Sequence, residues 1–319
     1  MFILIVYLLS SIHVLILINY LSSQNDSQFR ATTAIFFIEC LKFLISICFL
    51  IILKKKFQLP NFMNIINIKQ SKLMLIPGII DACSNILIFI AISNLNILIF
   101  QISYLLKFIV ASALNFLVVK YEITRLFLLS LFLSFLAVIV SQFEPLSEIN
   151  SQTSFRNPLL GLLLTISAVI LISINELYLK HFWRKYQNQS SFTFSNCEFW
   201  NHQFYFSFFG AITALLLSPI LSEFEGYRSF LGGFKGLVWW LVICQAVASL
   251  ISSLILIKHS IYEKILLETC FPILLLFIYF YGFHMHVHGP IVAATLFISV
   301  ASVISISSYA LNFCYKFLY

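Results

Sequence analysis

Lys107 sits deep inside a long apolar stretch, well away from either end of it. An ionised side chain in lipid costs several kcal/mol unless it meets a partner or water, so every such residue is a candidate for function. At about 100° per residue, Gln101, Tyr104, Lys107, Ala111, Ser112 and Asn115 fall on one stripe of a helix. A cation beside an aromatic ring and an amide, with small residues on the same face, suits an anionic ligand that carries a ring. The competing reading is a buried lysine held by a carboxylate for structure alone.

Other polar residues interrupt the apolar pattern. Glu39 and Lys42 lie one turn apart and either pair along their helix or line a cavity. Asp81 and Asn85 share a face at i, i+4, and Glu176, Tyr178, Asn201, His202, Gln203 and Glu268 add further polar positions. Lys258 and Lys264 bracket the start of a later apolar stretch, where snorkelling to the interface would also account for them. His284, His286 and His288 alternate in a turn, but a metal site needs a fourth ligand, and no metal or other cofactor is expected. There is no P-loop, HExxH, GxSxG or acidic DxD-like pair, and no nucleophile stands with its base. The chain does not read as an enzyme.

The elements that must position these residues are membrane helices. Of 319 residues, 61% are hydrophobic and 10% charged, against about a quarter charged in soluble domains. Apolar runs of about 20 residues, the length that crosses the hydrocarbon layer, recur at 2–21, 31–53, 73–93, 95–119, 126–143, 159–180, 199–221, 236–257, 261–281 and 289–312. Continuous runs argue for α-helices rather than a barrel's short alternating segments. The first run lacks a basic start and a small-x-small cleavage site, so it is expected to remain as a span. The seven cysteines show neither a paired framework nor a CxxC motif and read as packing residues.

The net charge of +7 is a topology signal. With the N-terminus in the cytosol, thirteen Lys and Arg fall on the cytosolic side and only Arg30, Arg156, Arg228 and Lys235 opposite; Lys42 and Lys107 are inside spans. This bias predicts both termini in the cytosol and no nucleic-acid partner. The sequons at Asn25 and Asn188 are poorly placed for use, and Lys54–Lys56 is read as an anchor for the second span. The chain forms one polytopic domain, with five spans in 1–143, a lumenal connection over 144–157 and five spans in 158–319. An odd number per half puts the halves in opposite orientations, an arrangement common in carriers.

These residues carry a resemblance. Ala31-Thr-Thr-Ala34 followed by Glu39 and Lys42, the stretch Pro77 to Asn85, Ala91-Ile-Ser-Asn-Leu95, Phe100-Gln-Ile-Ser-Tyr-Leu-Leu-Lys107, Asn157-Pro-Leu-Leu-Gly161, Asn201-His-Gln203 and Val238-Trp239 occur in the order and spacing of a known family. Across about 30–311 the sequence resembles the nucleotide-sugar transporters of the Golgi, in particular the branch carrying CMP-sialic acid, UDP-galactose and UDP-N-acetylglucosamine. The resemblance implies an all-α membrane fold of about ten helices in two inverted five-helix halves, and antiport of a nucleotide sugar against a nucleoside monophosphate. It implies that Lys107, Tyr104, Gln101 and Asn85 line the nucleotide site, with Lys107 and Lys264 facing phosphate. Tyr178, Asn201, Glu39 and Lys42 complete the candidate substrate-binding set.

The sequence departs from the family pattern at Ser84-Asn85-Ile86, at Leu105, at Tyr178-Leu-Lys-His181 and at Ala248-Ser249. Two alternatives therefore stay beside the carrier: a relative without transport that serves as a scaffold for lumenal glycosyltransferases, and a general metabolite exporter of the drug/metabolite transporter superfamily. The Golgi membrane is the expected location, with the endoplasmic reticulum as the alternative, and self-association into a homo-oligomer is left open.

Overall fold

The computed structural model describes residues 2–23, 29–57, 68–119, 124–143, 157–187, 192–221, 229–259, 261–282 and 289–318. The helices are α1 (Phe2–Ser23), α2 (Ala31–Phe57), α3 (Ile68–Asn94), α4 (Ile97–Tyr104), α5 (Leu106–Val119), α6 (Arg125–Ser141), α7 (Pro158–Gln187), α8 (Phe192–Leu221), α9 (Gly236–Lys258), α10 (Ile261–Glu268), α11 (Cys270–Phe277) and α12 (Gly289–Leu318). A π turn, Ile278–Gly282, extends α11. No strand occurs among the described residues. In lipid the backbone must satisfy its own hydrogen bonds, and helices do so within one segment.

Nine segments among the described residues are long and apolar enough to cross a membrane. The tenth expected span, α6, is shorter: its 17 residues rise about 26 Å at 1.5 Å per residue, a little less than the usual hydrocarbon thickness. Thr124 caps it, its hydroxyl accepting from Phe127 N at 3.2 Å. The histidine run 284–288 and both sequons lie outside the described residues.

The chain forms two compact units. The first comprises Met1–Leu8, Ala91–Leu177 and His259–Tyr319; the second comprises Leu9–Ile90 and Tyr178–Lys258. In the first unit α12 packs along α6, and α4 packs on α6 and α11. Gly161 in α7 faces Leu95 so closely that an added Cβ would lie 2.6 Å from Leu95 Cγ. In the second unit α8 runs along α2, with α9 on the same helix. Phe49 and Trp200 stack across that contact with ring centroids 4.2 Å apart. At Gly78 in α3 a Cβ would stand 2.7 Å from the carbonyl oxygen of Phe206. Small residues at such crossings let membrane helices approach, because between helices in lipid close packing replaces the hydrophobic drive.

Two of the expected continuous spans are interrupted at one residue each, Leu105 and Thr269, which both keep right-handed helical dihedrals. Between α4 and α5, Leu105 N bonds Ile102 O at 3.1 Å and Phe108 N bonds Leu105 O at 2.9 Å. These i→i+3 bonds make a tight turn between Tyr104 and Lys107. Between α10 and α11 the interruption falls at Thr269. Pro272 has no N–H to give the carbonyl of Glu268, which accounts for this break. Ser302 of α12 donates to Thr269 Oγ1 at 2.9 Å and ties the break in place.

Candidate functional site

Both breaks deliver charge to one place in the first unit. Lys107 opens α5 and Glu268 closes α10, one helical turn after Lys264. Lys107 Nζ donates to Glu176 Oε1 at 2.9 Å and to Glu268 Oε2 at 2.8 Å. Lys264 Nζ donates to the same Glu176 oxygen at 2.6 Å and lies 4.0 Å from Glu268 Oε1. The Tyr7 hydroxyl donates to Glu268 Oε1 at 2.9 Å. The Tyr104 ring lies 5.7 Å from Lys107 Nζ, and the Tyr7 ring 6.0 Å from Lys264 Nζ.

Side-chain exposure is 2% for Lys107, 6% for Lys264, 9% for Glu176 and 4% for Glu268. Two cations and two carboxylates therefore make an electrically neutral cluster shut off from bulk solvent. Buried ions persist only when paired and hydrogen-bonded, because desolvation costs several kcal/mol per ion. Here each lysine has a carboxylate, and the Glu176 oxygen takes both ammonium groups.

The second unit holds its own buried pair. Lys42 Nζ lies 2.6 Å from Glu39 Oε1, 3.4 Å from Asp81 Oδ2 and 3.2 Å from Ser249 Oγ, which accepts from it. Gly210 of α8 faces the Glu39 carboxyl so closely that a Cβ there would stand 3.0 Å from it. This cluster joins α2, α3 and α9 at points where none of them is broken.

The nine candidates are thus divided. Tyr104, Lys107 and Lys264 come together in the first unit, and Gln101 is buried in α4 with its Nε2 lacking a hydrogen-bond partner among the described residues. Glu39 and Lys42 pair in the second unit, and half-buried Asn85 follows Asp81 by one turn. Tyr178 is 38% exposed and donates to Leu73 O, so it does not join that pair. Asn201 is buried in α8. The neighbouring His202 and Gln203 line, with Trp183, Phe199, Phe206 and Ser253, a hollow of about 20 Å³. That is room for one water, not for a nucleotide.

The carboxylates Glu176 and Glu268 are visible in the sequence as ionisable residues in apolar runs, but not as partners of Lys107. Tyr7 gives no sequence signal, since one tyrosine in an apolar helix is unremarkable.

A chain built of apolar, membrane-length helices with ion clusters buried among them is an all-α integral membrane protein. The family model of the nucleotide-sugar transporters matches residues 1–303, and the chain belongs to that family. A protein of known crystal structure shares the fold, with a TM-score of 0.57 at 11% identity over 95% of each chain. No curated protein matches the sequence.

Proposed function

We propose that this nucleotide-sugar transporter is an exchanger that carries a pyrimidine nucleotide sugar, a UDP- or CMP-sugar, into the lumen and returns the nucleoside monophosphate. The observation that carries this reading is the sharing of one Glu176 oxygen by Lys107 and Lys264, at 2.9 and 2.6 Å. A site that holds one anionic oxygen between two ammonium groups can hold a phosphate oxygen the same way. Tyr104 supplies a ring beside the cation, and buried Gln101 supplies an amide to a base. Helix interruptions at Leu105 and Thr269 support movement at the site, as in carriers whose broken helices flank the ligand.

In this reading both termini face the cytosol, supported by the lysine and arginine distribution. The halves 1–143 and 158–319 carry the inverted relation, supported by the ten apolar segments when α6 is included. The membrane is that of the Golgi.

The test is uptake by the purified chain in liposomes preloaded with UMP or CMP and offered a panel of labelled nucleotide sugars. Uptake of at least one, faster with the internal nucleotide than without it, is expected. Folded protein that takes up none of them overturns the proposal.

A further inference from the structure

The charge balance of the first-unit cluster constrains how an anion can enter it. A nucleoside diphosphate sugar brings two negative charges that do not titrate near neutrality. Lys107 and Lys264 are already matched by Glu176 and Glu268. Adding the ligand to the cluster as it stands would leave two uncompensated negative charges among groups at most 9% exposed. In such surroundings a lone buried charge costs several kcal/mol, and proton uptake removes it.

We infer that the protein couples transport to protons: Glu176 and Glu268 each take one up as the diphosphate replaces them on the two lysines. The inference rests on the nucleotide-sugar reading above. The charges balance in both states. The empty site has two ammonium groups against two carboxylates; the loaded site has two ammonium groups against the two ligand charges, with both glutamates as neutral acids. The protons come from the water on the side the ligand enters and leave with the ligand on the other side; in exchange a returning monophosphate dianion carries two protons back, so net proton movement accompanies net uptake.

Among the described residues few groups face the two carboxylates. They are Lys107 from α5, Lys264 from α10 and Tyr7 from α1, with the Tyr104 ring of α4 beside Lys107. From α12, Ser302 donates to Thr269, next in sequence to Glu268. His259 and Glu263, at the start of α10, pair with each other at 2.8 Å and are partly exposed. Among the described residues no third carboxylate contacts Lys107 or Lys264. When the lysines turn to phosphate, Glu268 keeps Tyr7 as a hydroxyl partner, which serves a neutral acid as well as an anion.

A second consequence follows from neutrality. The empty cluster carries no net charge, so the empty carrier can reorient with its site closed. Net uptake is then open to the protein without a returning nucleotide, and exchange is not obligatory.

The experiment uses the full-length protein in a weakly buffered detergent solution with a pH indicator, and UDP-galactose as the probe. UDP-galactose binding is expected to take up about two protons per molecule bound, and affinity to tighten by up to about tenfold per proton per pH unit of acidification. Glu176→Gln and Glu268→Gln should each lower the proton count by about one. Each should also slow net uptake into empty liposomes more than exchange, because the empty site then keeps a net positive charge. Binding of UDP-galactose with no proton uptake overturns the proton coupling and leaves the carrier intact. If UDP-galactose does not bind, a CMP-sugar takes its place; failure of both to bind overturns the coupling together with the carrier.

Discussion

Each compact unit buries ions, yet the two clusters are built differently. In the second unit one lysine, Lys42, meets two carboxylates from unbroken helices α2 and α3, with Ser249 of α9 closing the contact. In the first unit two lysines meet two carboxylates, and Lys107 and Glu268 border helix interruptions. A continuous helix holds a charge in one position relative to its neighbours. At Leu105 i→i+3 bonds replace the α-helical pattern and at Pro272 one backbone bond is missing, so fewer bonds resist a local bend there. The second-unit pair is suited to fastening helices together, and the first-unit cluster to changing partners.

Five substitutions test that contrast. Lys42→Ala leaves Glu39 buried without its cation and should cost about 3–5 kcal/mol of stability. A large fall in the thermal unfolding midpoint in mild detergent is the expected readout; an unchanged midpoint would remove the fastening role. Lys107→Ala is expected to lower nucleotide-sugar uptake by about a hundredfold, about 2.7 kcal/mol in barrier terms. It should disturb folding less, because Glu176 keeps Lys264 and Glu268 keeps Tyr7. Retained uptake would strip Lys107 of its assigned role.

Gly78→Ala puts a methyl against the Phe206 carbonyl in the second unit and should cost about 1–3 kcal/mol. Gly161→Ala in the first unit meets Leu95 Cγ at 2.6 Å and Asn94 Cβ at 3.1 Å and should cost a similar amount; an unchanged midpoint in chemical denaturation would show that this contact yields. The smallest effect belongs to Pro272→Ala. Restoring an N–H for the Glu268 carbonyl should stiffen the break and slow uptake by about two- to fivefold with little change in stability. An unaltered rate would show that the interruption has no part in turnover.

Much of this architecture is legible in the amino-acid sequence. Apolar length locates the membrane segments from α1 to α12, since insertion depends on hydrophobicity summed along a local stretch. Ionisable residues within those stretches, among them Glu39, Lys42, Lys107, Glu176 and Glu268, mark the costly positions for the same reason. The i, i+3 spacing also anticipates the contact of Glu39 with Lys42 as one of its two outcomes. The break at Leu105 is not legible there: no proline or glycine announces it, and the i→i+3 bonds that form it are visible only in three dimensions.

What the sequence by itself determined was the membrane character of the chain and which side chains must find partners there. These are local properties, set by composition and helical period. Only the tertiary structure decided the pairing. Glu176 and Glu268 lie 69 and 161 residues from the lysine they meet, and no periodicity reaches across such separations. Helix packing selects among the buried carboxylates and lysines, and in doing so it made the first-unit cluster neutral.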